Sequence, residues 1–447
     1  MNPNRHASAA KRAAHPPGSI SRRLFLKGAL AAGAGVGFPT IIPGSALGAG
    51  GAVAPSNRIV MGAIGLGGMG MGNMQSFLAN ADVQFVAVCD VDSEHLARAK
   101  ETVDKRYGNA DCAAYADFRD LIGRGDLDAV SLALPDHWHA IPAIAAARAG
   151  LDIYGEKPLA RSIREGQAIR AAVQRYERVW QTGSWQRSKD DFHRACELVI
   201  NGRIGAVHKV EVGLGGGPVV PLQPLKEPPK SLDWDFWLGP APWRPYCDFG
   251  SDLGKVHWNW RWILDYSGGQ LTDWSGHHID IAHWGLGLDL SGPVEIEGKG
   301  TYPENALSTA PSQYRFACKY ATGMEMTVAS DLPMGTHWFG ETGEVFVTRG
   351  KLWTKPEGLI DSRIEPGETR LYRSRDHHRN FLDCVKTRKT TITPVEIAHR
   401  SISVGLLGEI AMLTGRKIRW NPDTEEIVGD PGAGALLGRS YREPWTL

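Results

Sequence analysis

Short apolar runs alternate with amphipathic segments between Ile59 and Ser184. Runs of strand length occur in RIVMGAI, DVQFVAVCD, DAVSLALP, LDIYGEKP and RVWQTGS, and the stretches AIPAIAAARAG and SIREGQAIRAAVQRYE between them have helical character. Strands that alternate with helical segments are typical of a parallel, doubly wound sheet, whose ligands lie at the carboxyl ends of the strands. The pattern predicts an α/β domain with a binding site along that edge.

The first predicted strand leads into a glycine-rich turn and then a helix. The segment Gly65-Leu66-Gly67-Gly68-Met69-Gly70 has the spacing G-x-G-x-x-G, in which the glycines allow a tight turn, approach of a pyrophosphate and close packing of helix on strand. Asp90 follows the second strand, where a carboxylate accepts both ribose hydroxyls of an adenosine and repels a 2′-phosphate. The pattern therefore predicts NAD and disfavours NADP. The alternative is a helix cap, which suits Asp92 or Ser93 better than Asp90.

Further candidate residues follow the other predicted strands. Because carboxyl ends of parallel strands share one edge of a sheet, these residues outline the rest of the cofactor cleft. We predict cofactor contacts for Pro135, His139, Glu156 and Lys157, and substrate contacts for Trp138, Gln186 and Arg187. Glu156 has two alternatives, a pair with Lys157 or a solvent-facing position.

The stretch GGQLTDWSGHHID places Asp273, His277, His278 and Asp280 within eight residues. On a helix Asp273 and His277 share a face, whereas His277 and His278 point about 100° apart and do not easily share one ion. The chain also has no H-E-x-x-H pattern. We therefore predict no metal site here, a substrate contact or a packed position for His278, and a structural hydrogen bond for Asp280.

The segment from Leu232 to Trp274 is rich in tryptophan. It holds seven of the chain's 15 tryptophans and overlaps a Pro-rich stretch, which predicts a long loop of the kind that covers binding sites. Indole faces stack on the C–H faces of sugar rings, and Arg261 and Trp262 are further candidates for substrate contact. The segment favours a carbohydrate or polyol substrate. The alternative is an aromatic core under the loop, because tryptophan is usually well buried.

Several motifs in order resemble those of one family. GEKPLA after the fifth predicted strand, GGQLTDWSGHHIDIAHW in the second half, NGRIGAVHKVEV and NFLDCV resemble the Gfo/Idh/MocA oxidoreductases, which include glucose–fructose oxidoreductase and inositol dehydrogenase. The resemblance covers roughly Asn57 to Trp420. It implies a Rossmann domain, then an α+β domain with a large, open, mostly antiparallel sheet that makes dimer or tetramer contacts, and a C-terminal helix that returns toward the first domain.

The resemblance also implies roles at the site. In the family, the lysine of Glu-Lys-Pro and an Asp and His four residues apart contact the substrate near the nicotinamide, which implies catalytic roles for Lys157, Asp273 and His277; His139 would lie nearby. Here Asp-Trp-Ser-Gly-His replaces the usual D-x-G-x-H, so the local backbone is expected to differ. His277 suits the removal of a hydroxyl proton. Lys157 would stabilise alkoxide character, and Asp273 would orient the His277 ring or hold a second hydroxyl.

The N-terminus has the pattern of a targeting signal. The first 81 residues contain no Asp or Glu, and Arg22-Arg23 precede a weakly apolar Ala/Gly-rich run that ends near Phe38. This is the twin-arginine export pattern, and the run is shorter than the roughly 20 residues of a membrane-spanning helix. We predict the twin-arginine machinery as a partner and a periplasmic or otherwise exported location. The alternative is a disordered basic tail.

Composition and charge bear on the partners of the protein and on the state of its cysteines. The net charge of +1 gives no reason to expect a nucleic-acid partner, and removal of the basic leader leaves a mildly acidic body. The six cysteines are scattered singly without a CxxC motif, which predicts buried free thiols. The predicted organisation is a signal and linker (1–54), a Rossmann domain (55–183), a substrate and oligomerisation domain with the returning helix (184–420) and a C-terminal tail (421–447).

Two reactions fit these motifs. One is hydride transfer from a secondary alcohol of a sugar, polyol or glycoside by an NAD(P)-dependent oxidoreductase that retains its cofactor tightly, since free NAD is scarce outside the cytoplasm. The other is NAD-dependent glycoside hydrolysis, in which transient oxidation at C3 acidifies a neighbouring C–H, elimination breaks the glycosidic bond and the hydride returns. A third hypothesis, a binding protein with a relic Rossmann domain, conflicts with the intact glycines and Lys157.

Overall fold

In the computed structural model, which describes residues 53–247, 249 and 255–447, the first half of the chain forms a parallel sheet. Its described strands are β1 (Ile59–Ile64), β2 (Val83–Cys89), β3 (Ala113–Tyr115), β4 (Ala129–Leu132), β5 (Asp152–Gly155) and β6 (Trp180–Thr182). They lie in the order β3-β2-β1-β4-β5-β6, so the strand order reverses between β1 and β4, where doubly wound sheets bind their ligands. The predicted Rossmann sheet is confirmed.

Helices cross between these strands and cover the sheet. They are α1 (Gly68–Leu78), α2 (Ser93–Tyr107), α3 (Phe118–Ile122), α4 (Ala140–Arg148) and α5 (Ile163–Arg175). The Asp92 side chain accepts a hydrogen bond from the Glu94 amide and so caps α2, the role that the sequence favoured for Asp92 over Asp90. Gly108, at φ 69°, ends α2 in the left-handed conformation that glycine adopts without strain.

The second half forms a larger sheet that is mostly antiparallel. Its described strands are β7 (Val207–Gly213), β8 (Glu295–Thr301), β9 (Gln313–Lys319), β10 (Glu325–Ala329), β11 (Gly335–Gly340), β12 (Glu344–Thr348), β13 (Lys351–Lys355), β14 (Ile418–Asn421) and β15 (Glu426–Ile427). They run in the order β13-β12-β11-β7-β10-β9-β8-β14-β15, and β7 and β10 are parallel neighbours. Along β9, buried and exposed residues alternate strictly, because one face packs on helices and the other is open. This confirms the predicted second sheet.

The described helices of the second half are α6 (Asp190–Ile200), α7 (Trp234–Leu238), α8 (Val256–Asn259), α9 (Gly269–Leu286), α10 (His377–Thr387), α11 (Val395–Thr414) and α12 (Pro431–Ala435). Of these, α6, α9 and α11 pack on the large sheet, whereas α10 packs on α1 of the Rossmann half. The long helix α9 packs against α6, α11, β7 and β11, and α11 also packs on α5 of the Rossmann half. The α9 helix is therefore held on several sides, which sets the orientation of every side chain along GGQLTDWSGHHID.

The chain after Trp420 packs back onto the Rossmann half. Leu437 is fully buried, Arg439 and Tyr441 both bond to Glu165 on α5, and Trp445 packs on Trp138. The segment 421–447, predicted as a tail, is thus an ordered part of the fold in this structure.

Two further observations concern the described residues. All six cysteines are free and buried, which confirms that prediction. None of the described helices is both long and apolar enough to cross a membrane. The predicted twin-arginine segment lies outside the described residues.

Candidate functional site

The glycine-rich turn has the geometry that a bound pyrophosphate requires. Gly65, at φ 82°, lies so close to Ala133 that a Cβ on it would stand 2.2 Å from the Ala133 carbonyl oxygen. A Cβ on Gly70 would lie 1.8 Å from the Gly65 oxygen, so this glycine lets α1 pack against the end of β1. A Cβ on Gly67 would meet nothing within 4 Å. Gly67 precedes α1 without a side-chain cap, so the amides at the start of α1 remain free for an anion.

Asp90 stands beside this turn at the end of β2. Its Oδ2 accepts a hydrogen bond from the Leu66 amide at 2.6 Å, and its Oδ1 accepts one from the Asp92 amide at 2.8 Å. These bonds fix the carboxylate at the rim of the cleft, where a ribose with two free hydroxyls fits and a phosphorylated one would be repelled. His95 lies 3.7 Å from the same carboxylate, and the proximity of the Asp90 carboxylate raises the pKa of His95.

The glycine turn and Asp90 line a cleft with about 1090 Å³ of open space. The predicted residues Leu66, Gly68, Met69, Pro135, Trp138, Glu156 and Lys157 line the same cleft, together with Arg261 and Asp273. The residues present therefore fit a dinucleotide that extends from Asp90, past the start of α1, toward Lys157 and Asp273.

Part of the second half crosses the mouth of this cleft. The Ser93 amide donates to the Ser231 oxygen at 2.8 Å, the Asp233 amide donates to the Val91 oxygen at 3.1 Å, and the His257 ring lies 3.0 Å from the Asp92 carboxylate. Phe236, Trp237 and Trp260 line the cleft from this side. The tryptophan-rich segment therefore covers the adenosine end of the cofactor site, as expected of a long loop.

Lys157 and Asp273 form an ion pair at the inner end of the cleft. Lys157 follows β5, its peptide bond to Pro158 is cis, and its Nζ lies 2.7 Å from Oδ1 of Asp273 on α9. Burial by itself would raise the pKa of the Asp273 carboxyl, but Lys157 and Arg261 hold that pKa below its usual value. Both side chains keep a small exposed fraction, 12% and 16%, so the pair remains open to the cleft.

His277 lies one turn beyond Asp273, but the two side chains do not bond. The Asp273 carboxylate is engaged by Lys157 and lies 3.8 Å from Arg261, while Nδ1 of His277 is buried without a partner among the described residues. Of the two roles predicted for Asp273, orientation of the His277 ring is wrong, because Lys157 and Arg261 compete for the carboxylate, and contact with a second hydroxyl stays a prediction. The ring instead meets the indoles of Trp185 and Trp274 edge to face, with centroids 6.0 and 5.6 Å away.

Burial also sets the protonation of His277. The ring is 3% exposed, and burial, followed by the positive charges of Lys157 and Arg349, lowers its pKa well below the usual 6.5. His277 is therefore neutral at neutral pH, but the same burial lowers its affinity for a proton, and the ring is not among the residues that line the cleft.

Glu156 pairs with a residue that the sequence did not single out. Its buried carboxylate accepts a hydrogen bond from Nδ2 of Asn73 on α1 at 2.9 Å, and burial raises its pKa while Lys157 and Asn73 oppose the shift. Of the two alternatives for Glu156, the solvent-facing one is wrong. The spacing of Asn73 three residues after Gly70 was the available signal.

His139 does not line the cleft. Its ring nitrogens lie 2.6 Å from the Pro158 oxygen and 2.8 Å from the Leu134 oxygen, and the side chain is 6% exposed. The predicted cofactor contact of His139 is wrong in this structure, because two backbone carbonyls occupy the ring. His139 instead ties the start of α4 to the segment that carries Lys157.

Arg187 is a structural residue and not a substrate ligand. It is 1% exposed and bonds the Asp280 carboxylate at 2.7 and 2.9 Å and the Asp289 carboxylate at 2.7 and 3.2 Å. Its guanidinium also lies 4.9 Å from the centroid of Trp284. Two carboxylates occupy its donors, so the predicted substrate contact is wrong, and the structural bond predicted for Asp280 is confirmed.

Three other predicted substrate residues are buried away from the cleft. Gln186 and His278 are fully buried, and Trp262 is 7% exposed. His278 stacks on Trp274 at 5.8 Å, and the amide atoms of Gln186 have no partner among the described residues. Of the two alternatives for His278, the packed position is the one observed. The predicted substrate contact of Trp262 is wrong, because packing buries its ring.

The tryptophan-rich segment is largely a core of its own. Trp234 stacks on Trp237 at 4.9 Å and meets Tyr246 and Phe249 edge to face. Trp243 and Trp258, by contrast, are 65% and 44% exposed. The alternative of an aromatic core therefore accounts for most of this segment.

The described residues also contain one group with metal-compatible spacing. Asp92, His95 and His257 offer ligand atoms within 4.8 Å of one another. None of them belongs to the pair His277-His278, which the sequence analysis considered as ion ligands. His257 was not a candidate, because only the crossing of the cleft by its segment brings it to Asp92.

This arrangement defines a dinucleotide-binding oxidoreductase architecture. Two family models match the chain, an oxidoreductase family NAD-binding Rossmann fold over residues 59–184 and an oxidoreductase family C-terminal alpha/beta domain over residues 219–447. The second match alone spans more than half of the chain, and the chain belongs to the Gfo/Idh/MocA oxidoreductase family. Its first domain is an NAD-binding Rossmann domain, and the family and cofactor predictions are confirmed.

Curated relatives carry two kinds of name. The uncharacterized oxidoreductase YrbE of Bacillus subtilis is 27% identical over 66% of this chain and 73% of the relative. A glycosyl hydrolase family 109 protein of Solibacter usitatus is 33% identical over 32% of this chain, and an alpha-N-acetylgalactosaminidase of Shewanella oneidensis is 30% identical over 33%. These matches span about a third of the length of the two glycosyl hydrolase relatives, 34% and 35%.

Solved structures share the fold at low identity. The WlbA dehydrogenase from Bordetella pertussis, solved with NADH and UDP-GlcNAcA, aligns with a TM-score of 0.61 at 16% identity, over 81% of this chain and 99% of that one. A putative myo-inositol dehydrogenase from Sinorhizobium meliloti aligns at 0.54 and 18%, with the same coverage. At sequence identities this low, the two alignments show a shared fold and nothing about the reaction.

Proposed function

We propose that the protein is an NAD-dependent oxidoreductase that acts on a secondary alcohol of a sugar, polyol or glycoside. The observation that carries the proposal is the ion pair between Lys157 and Asp273, which stands at the inner end of the cleft that the glycine turn opens. A lysine there is placed to meet the oxygen of a bound alcohol.

The chain's residues divide the chemistry among them. The bound dinucleotide supplies the hydride acceptor. Lys157 donates a hydrogen bond to the alcohol oxygen and stabilises its developing negative charge. Asp273 holds the ammonium group in place through the 2.7 Å contact. We assign uptake of the hydroxyl proton to His277 because it lies one helical turn after Asp273, although burial keeps its ring neutral and lowers its proton affinity.

The proposal includes tight retention of the cofactor. The backbone bonds of Ser231 and Asp233 to the loop after β2, and the His257 contact with Asp92, hold the tryptophan-rich segment across the adenosine end of the cleft. A cofactor under this segment leaves only after these contacts break, so release is slow.

A second candidate function is NAD-dependent glycoside hydrolysis. Curated relatives named as glycosyl hydrolase family 109 proteins and an alpha-N-acetylgalactosaminidase favour it, and the same Lys157 and His277 serve its initial oxidation. In this reaction the hydride returns to the sugar after elimination of the leaving group, so no NADH accumulates.

One experiment separates the two reactions. Purified protein with measured cofactor content is incubated with free sugars and with aryl glycosides. Net appearance of NADH supports the oxidoreductase, and release of the aryl group without NADH supports the hydrolase. If the protein retains NAD but neither forms NADH nor releases the aryl group, both functions are contradicted.

The cofactor site has its own test. In Gly70→Ala the new methyl group meets the Gly65 oxygen at 1.8 Å and displaces α1 from the turn. We expect NAD content and affinity to fall by about tenfold or more, since the displaced α1 no longer presents its first amides to the pyrophosphate. Gly72→Ala in the same helix is the control, because its Cβ meets nothing within 4 Å. Equal NAD binding by both variants would contradict the assigned site.

Export and assembly complete the proposal. The Arg22-Arg23 pattern supports twin-arginine export to the periplasm, which fractionation of cells that express the wild-type chain and Arg22→Lys/Arg23→Lys would test. The open face of the nine-stranded sheet supports association into dimers or tetramers. Light scattering of the purified protein measures the assembly size, and a monomer would contradict this part.

A further inference from the structure

One guanidinium beside the site makes no ion pair with any of the described residues. Arg349 stands in the turn between β12 and β13, with its Cζ 4.3 Å from the ring centroid of Trp185 and 4.4 Å from that of Trp274. The residue is exposed, and in the described part of the chain its guanidinium makes no ion pair or hydrogen bond. Its five N–H donors are therefore available to a ligand.

Arg349 is held in place without use of these donors. The two indole faces support the guanidinium, and they belong to separate elements, the turn of 3-10 helix at Trp185–Ser188 and helix α9. The next residue, Gly350, has φ 75° and donates its amide hydrogen to Asp191 on α6 at 3.1 Å. The turn is thus anchored next to the arginine, which lowers the cost of ordering the side chain around a ligand.

The position of Arg349 is next to the proposed reacting groups. Trp185 and Trp274, which support it, are also the two indoles that the His277 ring meets edge to face. The carboxylate of Asp273 is already occupied by Lys157 at 2.7 Å, with Arg261 at 3.8 Å. The charges of Asp273 and Arg349 interact at longer range, but no ion pair joins them.

A second cation lies on the same side. Nζ of Lys189 is 5.4 Å from the Trp185 ring, and Lys189 is exposed. Arg349 and Lys189 thus place two positive charges beside Trp185, where they attract an anionic ligand. The carboxylate of Asp191, which accepts the Gly350 amide, is a negative charge close to the same turn.

Resting on the proposed function, we propose that the substrate is an acidic sugar whose anionic oxyacid group binds Arg349. The group is the carboxylate of a uronic acid or the phosphate of a sugar ester, since the planar guanidinium matches both with paired hydrogen bonds. In this arrangement Arg349 binds the acidic group while Lys157 meets the reacting hydroxyl. Arg349 is thus a specificity-determining residue.

The test measures binding directly. The full-length protein with its NAD is titrated by calorimetry with glucose, galactose, glucuronate, galacturonate and glucose 6-phosphate. We expect the acidic sugars to bind at least about tenfold more tightly than the neutral ones, and Arg349→Gln to lose that preference. Arg349→Lys should keep only part of it, because lysine lacks the planar fork. Preference for a uronate or for the phosphate identifies the source of the anion.

The control is Lys351→Gln, which removes a positive charge from the same hairpin two residues away and should keep the preference. Equal binding of acidic and neutral sugars, no measurable binding of either, or an acid preference that survives in Arg349→Gln would overturn the inference. The proposed function is judged separately, by NADH formation and by release of aryl groups. Oxidation of neutral sugars without acid preference leaves the function standing, whereas acid-selective binding without either reaction overturns the function alone.

Discussion

Helix α9 carries two ion pairs of the same length in opposite surroundings. Asp273 bonds Lys157 at 2.7 Å in a pair that is open to the cleft, with side chains 16% and 12% exposed. Asp280, two turns later, bonds Arg187 at 2.7 Å with side chains 2% and 1% exposed, and Asp289 satisfies more of the same guanidinium. The first pair has access to a ligand and the second does not.

The difference shows that the surroundings and not the charges separate a reactive pair from a structural one. A lysine at the wall of a cleft can exchange its carboxylate partner for a substrate oxygen. An arginine sealed between two carboxylates and an indole has no such freedom, and removal of one partner leaves an uncompensated charge in the interior. The two halves of α9 therefore predict different consequences of equivalent substitutions.

The largest expected effect is on the sealed pair. Arg187→Met leaves the Asp280 carboxylate buried without its cation and should lower the free energy of unfolding by about 3–5 kcal/mol. Chemical denaturation measures this. Arg315→Met is the control, since its pair with Asp331 is 53% and 61% exposed and should contribute little to stability. Equal losses in the two variants would contradict the structural role of Arg187.

The open pair should respond in activity rather than in stability. Lys157→Met removes the donor to the alcohol oxygen, so we expect turnover to fall by about 10²–10³, equivalent to about 2.7–4 kcal/mol. NAD content should stay near normal, and the loss of stability should be smaller than in Arg187→Met, since Arg261 remains 3.8 Å from Asp273. Steady-state kinetics with the sugar that the wild type oxidises measures the change in turnover. Lys105→Met is the control, because it removes a lysine from an exposed pair with Glu101. Wild-type turnover would refute the assignment.

The pH dependence of stability should depend on the buried histidines in the second half of α9. Burial lowers the pKa of His278 to about 3 and that of His283 to about 4, against an unfolded value of 6.5. Because the unfolded chain binds these protons first, their contribution is complete above pH 6.5 and is lost as the pH falls toward the folded values. The expected slope is up to about 1.4 kcal/mol per pH unit for each histidine. His278→Phe should have a shallower slope in denaturation series below pH 6.5, and an unchanged slope would contradict the neutral, buried ring.

The smallest effect concerns Gln186, the residue next to Arg187. Gln186 is fully buried, and neither of its amide atoms has a partner among the described residues. If it only fills space, Gln186→Met should change the free energy of unfolding by no more than about 1 kcal/mol and leave turnover intact. A fall in turnover at unchanged stability would instead support the substrate contact that the sequence suggested.

Local pattern was enough to predict the cofactor half. The strand, the turn from Gly65 to Gly70 and the start of α1 are consecutive, so their geometry follows from short-range sterics that glycine spacing records. Asp90 follows the neighbouring strand β2. Only helix α1 and strand β2 separate it from the glycine turn along the chain, so its position is also predictable from local pattern. The strand order and the second sheet followed from periodicity together with the family motifs.

The substrate half required tertiary structure. Lys157 and Asp273 are 116 residues apart, and the motifs identified both, but nothing local indicated that the two bond each other. The sequence likewise did not distinguish Arg187, whose carboxylate partners are 93 and 102 residues away, from an arginine that faces a ligand. It did not indicate Arg349 at all, because its importance comes from two indoles on other elements.

The sequence by itself therefore determined the Rossmann turn, the NAD preference, the family and the candidate lysine, because each of these follows from neighbours in the chain or from motifs at fixed spacing. Only the tertiary structure decided which side chains reach the cleft. Whether a charge such as that of Arg187 or Asp273 is sealed or open depends on packing among α6, α9, α11 and the second sheet. That packing is a sum of long-range contacts, which the local order of residues does not record.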